Sequence, residues 1–166
     1  LRWHEPDDTL LYSLYSHETI LEVDIETGEA LRLFGHHPGA WSFDPSGSAF
    51  WWQHGGHYTS AGTLLTSSYR AQEDTELVVR EYELDPDQQT LHEIWSFGVG
   101  KGIEGEYMGE AHRLPGGNTL HNYGSNPRLR EVQPDGTVVW DVIWEGGGAW
   151  ELGRTTPLSD LYAFAP

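Results

Sequence analysis

Apolar and polar residues alternate along this chain in short runs, and a period of two belongs to strands rather than helices. Residues 10–16, 20–25, 30–34, 62–67, 77–84, 91–97, 119–123, 128–133 and 137–144 are rich in β-branched and aromatic side chains. Gly, Pro, Asp or Asn bounds each of them. The last run sets Val138, Trp140, Val142 and Trp144 on one face and Thr137 and Asp141 on the other, which predicts a half-buried strand. No window shows a 3.6-residue period. The expected fold class is all-β.

The runs also repeat. Residues 9–35, 63–98 and 119–144 each lead from a Thr-Leu strand into a strand carrying a glutamate: Glu22, Glu81 or Glu131. A polar turn follows (Glu26-Thr27-Gly28, Asp85-Pro86-Asp87, Pro134-Asp135-Gly136), then another strand. Segments 54–62 and 109–118, holding His and small residues, precede two of the Thr-Leu strands. Thr9, Thr63 and Thr119 stand 54 and 56 residues apart. Four strands in about 50 residues is the grammar of a β-propeller blade, stretched by loop insertions. The expected layout is one domain over 1–166, with approximate blade units 1–40, 41–100 and 101–150 and a closing tail over 151–166. Closed propellers need about four to eight blades. Three leave open edges, so the missing blades are expected from another chain segment or from homodimerisation.

Composition narrows the chemistry. The 26 acidic residues outnumber the 9 basic ones, a formal charge of −17, so nucleic acid and anionic membranes are disfavoured partners. With no Cys, disulfides and thiolate zinc sites are excluded. Lys101 is the one lysine. No signal-like apolar segment opens the sequence, and no run approaches a membrane span.

Residues 109–140, GEAHRLPGGNTLHNYGSNPRLREVQPDGTVVW, carry an "LPxGNTL" strand followed by an "EV…DG.VVW" hairpin. Residues 50–65, FWWQHGGHYTSAGTLL, set Gln53-His54 before a Gly-x-Leu-Leu strand, and residues 7–35 end in a "TG…" hairpin. Taken in chain order, from residues 7–35 through 50–65 to 109–140, the motifs resemble bacterial arylsulfotransferase propellers, over essentially the whole chain. The resemblance implies a six-bladed, periplasmic or extracellular enzyme that moves a sulfuryl group from an aryl sulfate to a phenol without a nucleotide. A funnel histidine carries the group, and other His and Arg side chains hold its oxygens. Residue by residue, it implies catalytic roles for His54, at the Gln-His position, for His112, at the start of the next inner strand, and for Arg70, near a sulfuryl-contacting arginine. His57 and Trp52 are expected to bind substrate. The sequence departs from the family where Tyr15 replaces an arginine, Arg32 replaces a hairpin Trp, and Thr66-Ser67-Ser68-Tyr69 replaces a polar stretch. The family's early His-x-Asn-Ser element would fall before Leu1.

Nine His invite a metal, but no HExxH pattern exists and His36-His37 would point to opposite faces of a strand. Glu104, Glu106 and Glu110 in a Gly-rich loop could offer oxygen ligands to Ca²⁺, although the loop lacks EF-hand spacing; no other cofactor is expected. His92 reads as a surface histidine and His121 as a packed, hydrogen-bonded one. Ser67 and Ser68 lie outside any Gly-x-Ser-x-Gly elbow. Adjacent Trp51 and Trp52 cannot share one buried face on a regular strand, so one of them is expected at a pocket. The rival expectation is a non-catalytic propeller-type scaffold that keeps the blade grammar without the chemistry.

Overall fold

Each predicted hairpin forms, with its polar turn closing the two strands. In this computed structural model, which describes residues 1–107, 109–145 and 151–158, the strands are β1 Arg2–His4, β2 Thr9–Leu14, β3 Thr19–Asp24, β4 Ala30–Gly35, β5 Ser42–Asp44, β6 Trp51–Tyr58, β7 Leu64–Tyr69, β8 Leu77–Asp85, β9 Thr90–Phe97, β10 Glu110–Arg113, β11 Thr119–Asn122, β12 Arg128–Val132 and β13 Val138–Ile143. The polar turns are held by aspartates. Asp24 Oδ1 accepts the Thr27 N–H at 2.7 Å, Asp85 Oδ1 accepts those of Asp87 and Gln88, and Asp135 Oδ1 accepts that of Thr137.

The strands form three sheets in sequence order. β1-β2-β3-β4 and β10-β11-β12-β13 are four-stranded antiparallel meanders, and the middle sheet runs β5-β9-β8-β7-β6. The middle unit therefore departs from the four-strand expectation: β5 adds a parallel fifth strand beside β9.

Cross-strand register repeats as faithfully as the sequence does. One row of neighbours reads Leu11–Glu22–Arg32 in the first sheet, Leu65–Glu81–Trp95 in the second and Leu120–Glu131–Trp140 in the third. The first row packs on the second sheet. Leu11, Ile20 and Phe34 form one buried cluster with Trp41, Phe50, Leu64, Tyr82 and Leu91. Glu22, fully buried, accepts from Thr9 Oγ1, Arg32 Nη2 and, across the junction, Tyr58 Oη, each at 2.9–3.0 Å. The second row packs on the third sheet. Leu65 and Val79 meet Ala111, and Glu81 accepts from Thr63 and, across the junction, Arg113.

The third row behaves differently. All six residues of β13 are exposed, which corrects the half-buried strand expected there. Glu131 is held only within its own sheet, by Asn118 and by Trp140 Nε1.

Candidate functional site

Three edge strands, β1, β6 and β10, one from each sheet, lie against one another. Arg2 of β1 forms an ion pair with Glu110 of β10, and His57 of β6 lies 5.6 Å from His112 of β10, ring centre to ring centre. β6 is shaped for this by irregularity. Its pairing with β7 shifts register between Trp51 and His54 and again between His54 and His57. Trp52 and Gly55 adopt left-handed backbone at φ 49° and 64°. A side chain on Gly55 would run into Glu110, so glycine there lets β6 and β10 approach.

Two cavities flank this meeting line. One, of about 280 Å³, is lined by Arg2, Ser13, His54, Glu110 and Arg154 among others. The second, of about 590 Å³, takes His57, Tyr58, His112 and Arg113 into its wall. Residues 151–158 contribute to both. Leu152 N–H donates to Gly124 O, and Thr155 donates to Glu110 from both its backbone N–H and its hydroxyl.

Electrostatics give each group a state. His57 Nδ1 lies 2.9 Å from the Gly55 carbonyl. A carbonyl only accepts, so Nδ1 holds the proton and Nε2 keeps its lone pair. Burial pushes the His57 pKa down to about 4, against that hydrogen bond, with His112 and Arg2 adding to the fall. The ring is therefore neutral near pH 7. Burial also lowers His54, whose ring packs on Tyr15 at 4.7 Å. For Glu110, burial alone would raise the pKa; the His112 ring, the Thr155 N–H and Arg2 outweigh it and hold it at about 2. The buried Nε2 atoms of His54 and His112 have no hydrogen-bond partner among the described residues. His112 Nε2 stands 3.6 Å from Glu110 Oε1, an ion-pair distance that is long for a hydrogen bond.

The structure thus brings His54, His57 and His112 to adjoining cavities but leaves two expected residues elsewhere. Arg70 follows β7 in an exposed turn, ion-paired with Asp74 and near Glu76 at 3.5 Å, and it lines neither cavity. Trp52 donates from Nε1 to the Gln72 carbonyl and packs on Tyr15, so it reaches His54 only through that ring. The expectation that Trp51 and Trp52 must face apart also fails. Both pack against the Tyr69, Leu77, Ile103 and Tyr123 cluster, because the left-handed residue breaks strand alternation.

Of the loop carboxylates, Glu104 and Glu106 are exposed while Glu110 is buried against Arg2. Among the described residues no group of three His, Asp or Glu side chains could hold a metal ion. Sequence reasoning missed Arg2 and Arg154. Neither lies in a motif; the fold alone carries them to the cavity. It also missed the buried contact of Ser67 Oγ with His121 Nε2, 3.0 Å across the second junction.

No protein-family model matches this chain. No curated protein matches it either. Among solved structures, a protein of unknown function from Bacteroides caccae is similar over 83% of this chain and 58% of its own length, with 14% sequence identity and a TM-score of 0.45. This chain spans less than two thirds of that protein.

Proposed function

We propose that the three sheets are consecutive propeller blades and that the cavities on their inner strands bind an aryl sulfate, passing its sulfuryl group through a histidine to a phenol. The observation that carries this reading is the pair of imidazoles from separate sheets, His57 and His112, set 5.6 Å apart beside Arg2. Sulfuryl transfer needs a neutral nucleophile and fixed donors for negative oxygens. His57 Nε2 meets the first need. Arg113, in the same cavity wall as His57 and His112, and Arg2, close enough to help lower the His57 pKa, have planar donor arrays that suit an oxyanion and meet the second. In the first step the Nε2 lone pair bonds to sulfur as the S–O bond to the aryl oxygen breaks; the bonding pair leaves as phenolate, which takes a proton from water. In the second, the acceptor phenol gives its proton to water and attacks sulfur, and the N–S pair returns to Nε2. This gives the nucleophile's role to His57, expected only to bind substrate, rather than to His54 or His112, because its orientation is fixed by a hydrogen bond.

A second reading, a non-catalytic module, is favoured by one contact: Glu110 already neutralises Arg2 where the anion would sit. A chromogenic aryl sulfate with a phenolic acceptor separates the two. Transfer is expected for the native chain and only background release for His57→Ala. Equal release by both proteins, or none by either, would leave the non-catalytic module standing.

A further inference from the structure

The cavity that holds His57 and His112 does not end at them. It shares Tyr58, Thr59 and Ser60 with a neighbouring cavity of about 500 Å³. That one shares His4, Tyr58 and Gly62 with a further cavity of about 240 Å³, which reaches Leu84 and Pro86 on the second sheet. With walls in common, the three run as one groove beside the turns that follow β1 and β6.

Tyr58 lines all three cavities, and its ring is held from several sides. Its hydroxyl donates to the buried Glu22 at 2.9 Å, the Arg32 guanidinium lies 5.6 Å from the ring centre, and the His4 ring meets it edge-on at 4.8 Å. A second aromatic wall is fixed as well, since Trp3 in the middle cavity donates from Nε1 to Asp8 Oδ1 at 3.0 Å. Fixed aromatic walls favour flat aromatic surface in a ligand.

Charge narrows the ligand further. Arg113 and the two histidines line the first cavity, whereas Glu5 lines the middle one and Asp7 the third. The one guanidinium among the residues lining the two further cavities, Arg32, is already paired with Glu22. A second anionic group on the ligand would be repelled there, while a hydroxyl finds carboxylates to accept its proton in a hydrogen bond.

We infer that the groove takes a polyphenol of two or more rings, with one hydroxyl at His57 and the next hydroxylated ring against Tyr58 and Trp3. This rests on the sulfuryl-transfer reading for the first hydroxyl and adds to it the class of acceptor.

Calorimetric titration and a transfer assay on the same chain separate the two claims. The native chain is expected to bind 4,4′-dihydroxystilbene about tenfold more tightly than phenol, and 4-hydroxy-4′-methoxystilbene less tightly than the dihydroxy compound. Ser60→Trp, which fills the joint between the first two cavities, and Trp3→Ala, which removes the far ring, are each expected to cut the tenfold preference to about threefold or less. Equal affinity for phenol and the stilbene in the native chain would overturn the inference, whether or not aryl sulfate is turned over. So would a preference that neither variant reduces, or an aryl glycoside bound more tightly than the stilbene, which would give the groove to sugar hydroxyls. Stilbene binding that depends on both positions, without transfer to any phenol, would uphold the groove and remove the chemistry proposed for His57.

Discussion

Two rows that share a Leu–Glu pair in the same register sit in different surroundings. Leu11–Glu22–Arg32 lies beneath the second sheet, with Leu11 1% and Glu22 0% exposed, while Leu120–Glu131–Trp140 faces outward. Register, the Leu–Glu pair and the aspartate-held turn match; the rows differ in the third residue, Arg32 against Trp140, and in what packs on top. A buried glutamate is tolerable only while its donors hold. An exposed one has water as an alternative partner.

The largest expected effect follows from that contrast. Glu22→Ala leaves Arg32, Thr9 and Tyr58 without their shared acceptor, so a loss of about 3–5 kcal/mol is expected in denaturant unfolding. Glu131→Ala is expected to cost about 1 kcal/mol or less in the monomer. Equal losses would break the comparison. Next come the leucines. Leu65→Ala opens a cavity in a closed junction and is expected to cost about 2–5 kcal/mol. Leu120→Ala, in the half-buried row of the third sheet, is expected to cost about 1 kcal/mol.

Much of this fold is legible in the sequence because its outer hairpins alternate cleanly and end in Asp-anchored turns; all nine runs singled out above become strands. The strands that meet at the cavities are harder. β6 reads WWQHGGHY, and its two register shifts and left-handed residues erase the period of two. β1 and β10, of three and four residues, are too short to show a pattern. Imidazoles ahead of the Thr-Leu strands still mark the site, which is why His54, His57 and His112 emerge from sequence while Arg2 does not. Arg2 arrives through the packing of β1 against β10, a contact 108 residues apart. Arg70 shows the converse: its place just after a strand says nothing about which way the chain turns, and it turns outward to Asp74.

Acid provides a smaller test. The folded His57 pKa of about 4 lies below its usual 6.5, so the native state binds fewer protons than the unfolded one between those values. Stability is expected to fall as pH drops from about 6.5 toward 4. His121, buried and lowered to about 3 by burial and by Arg130, acts in the same direction over a wider window. Glu110, held at about 2 against 4.5, contributes stability that is present above 4.5 and lost as pH falls toward 2. His57→Gln should flatten the upper part of the unfolding-versus-pH curve and Glu110→Gln the lower part. The smallest effect is expected at Arg70→Ala. It removes an exposed ion pair and should change stability by about 0.5 kcal/mol or less and leave aryl sulfate turnover unaltered.

The most direct measurement is imidazole nitrogen NMR of the native chain during titration with a slowly reacting aryl sulfate. If the inner strands build one oxyanion site, His57 shows a protonated Nδ1 before addition. Its signals and those of His112 then move together with a single dissociation constant, and Arg2→Ala weakens that constant while His92, on β9 and in neither cavity wall, stays still. Signals that do not respond, or His57 and His112 responding independently and unaffected by Arg2→Ala, would contradict a shared site.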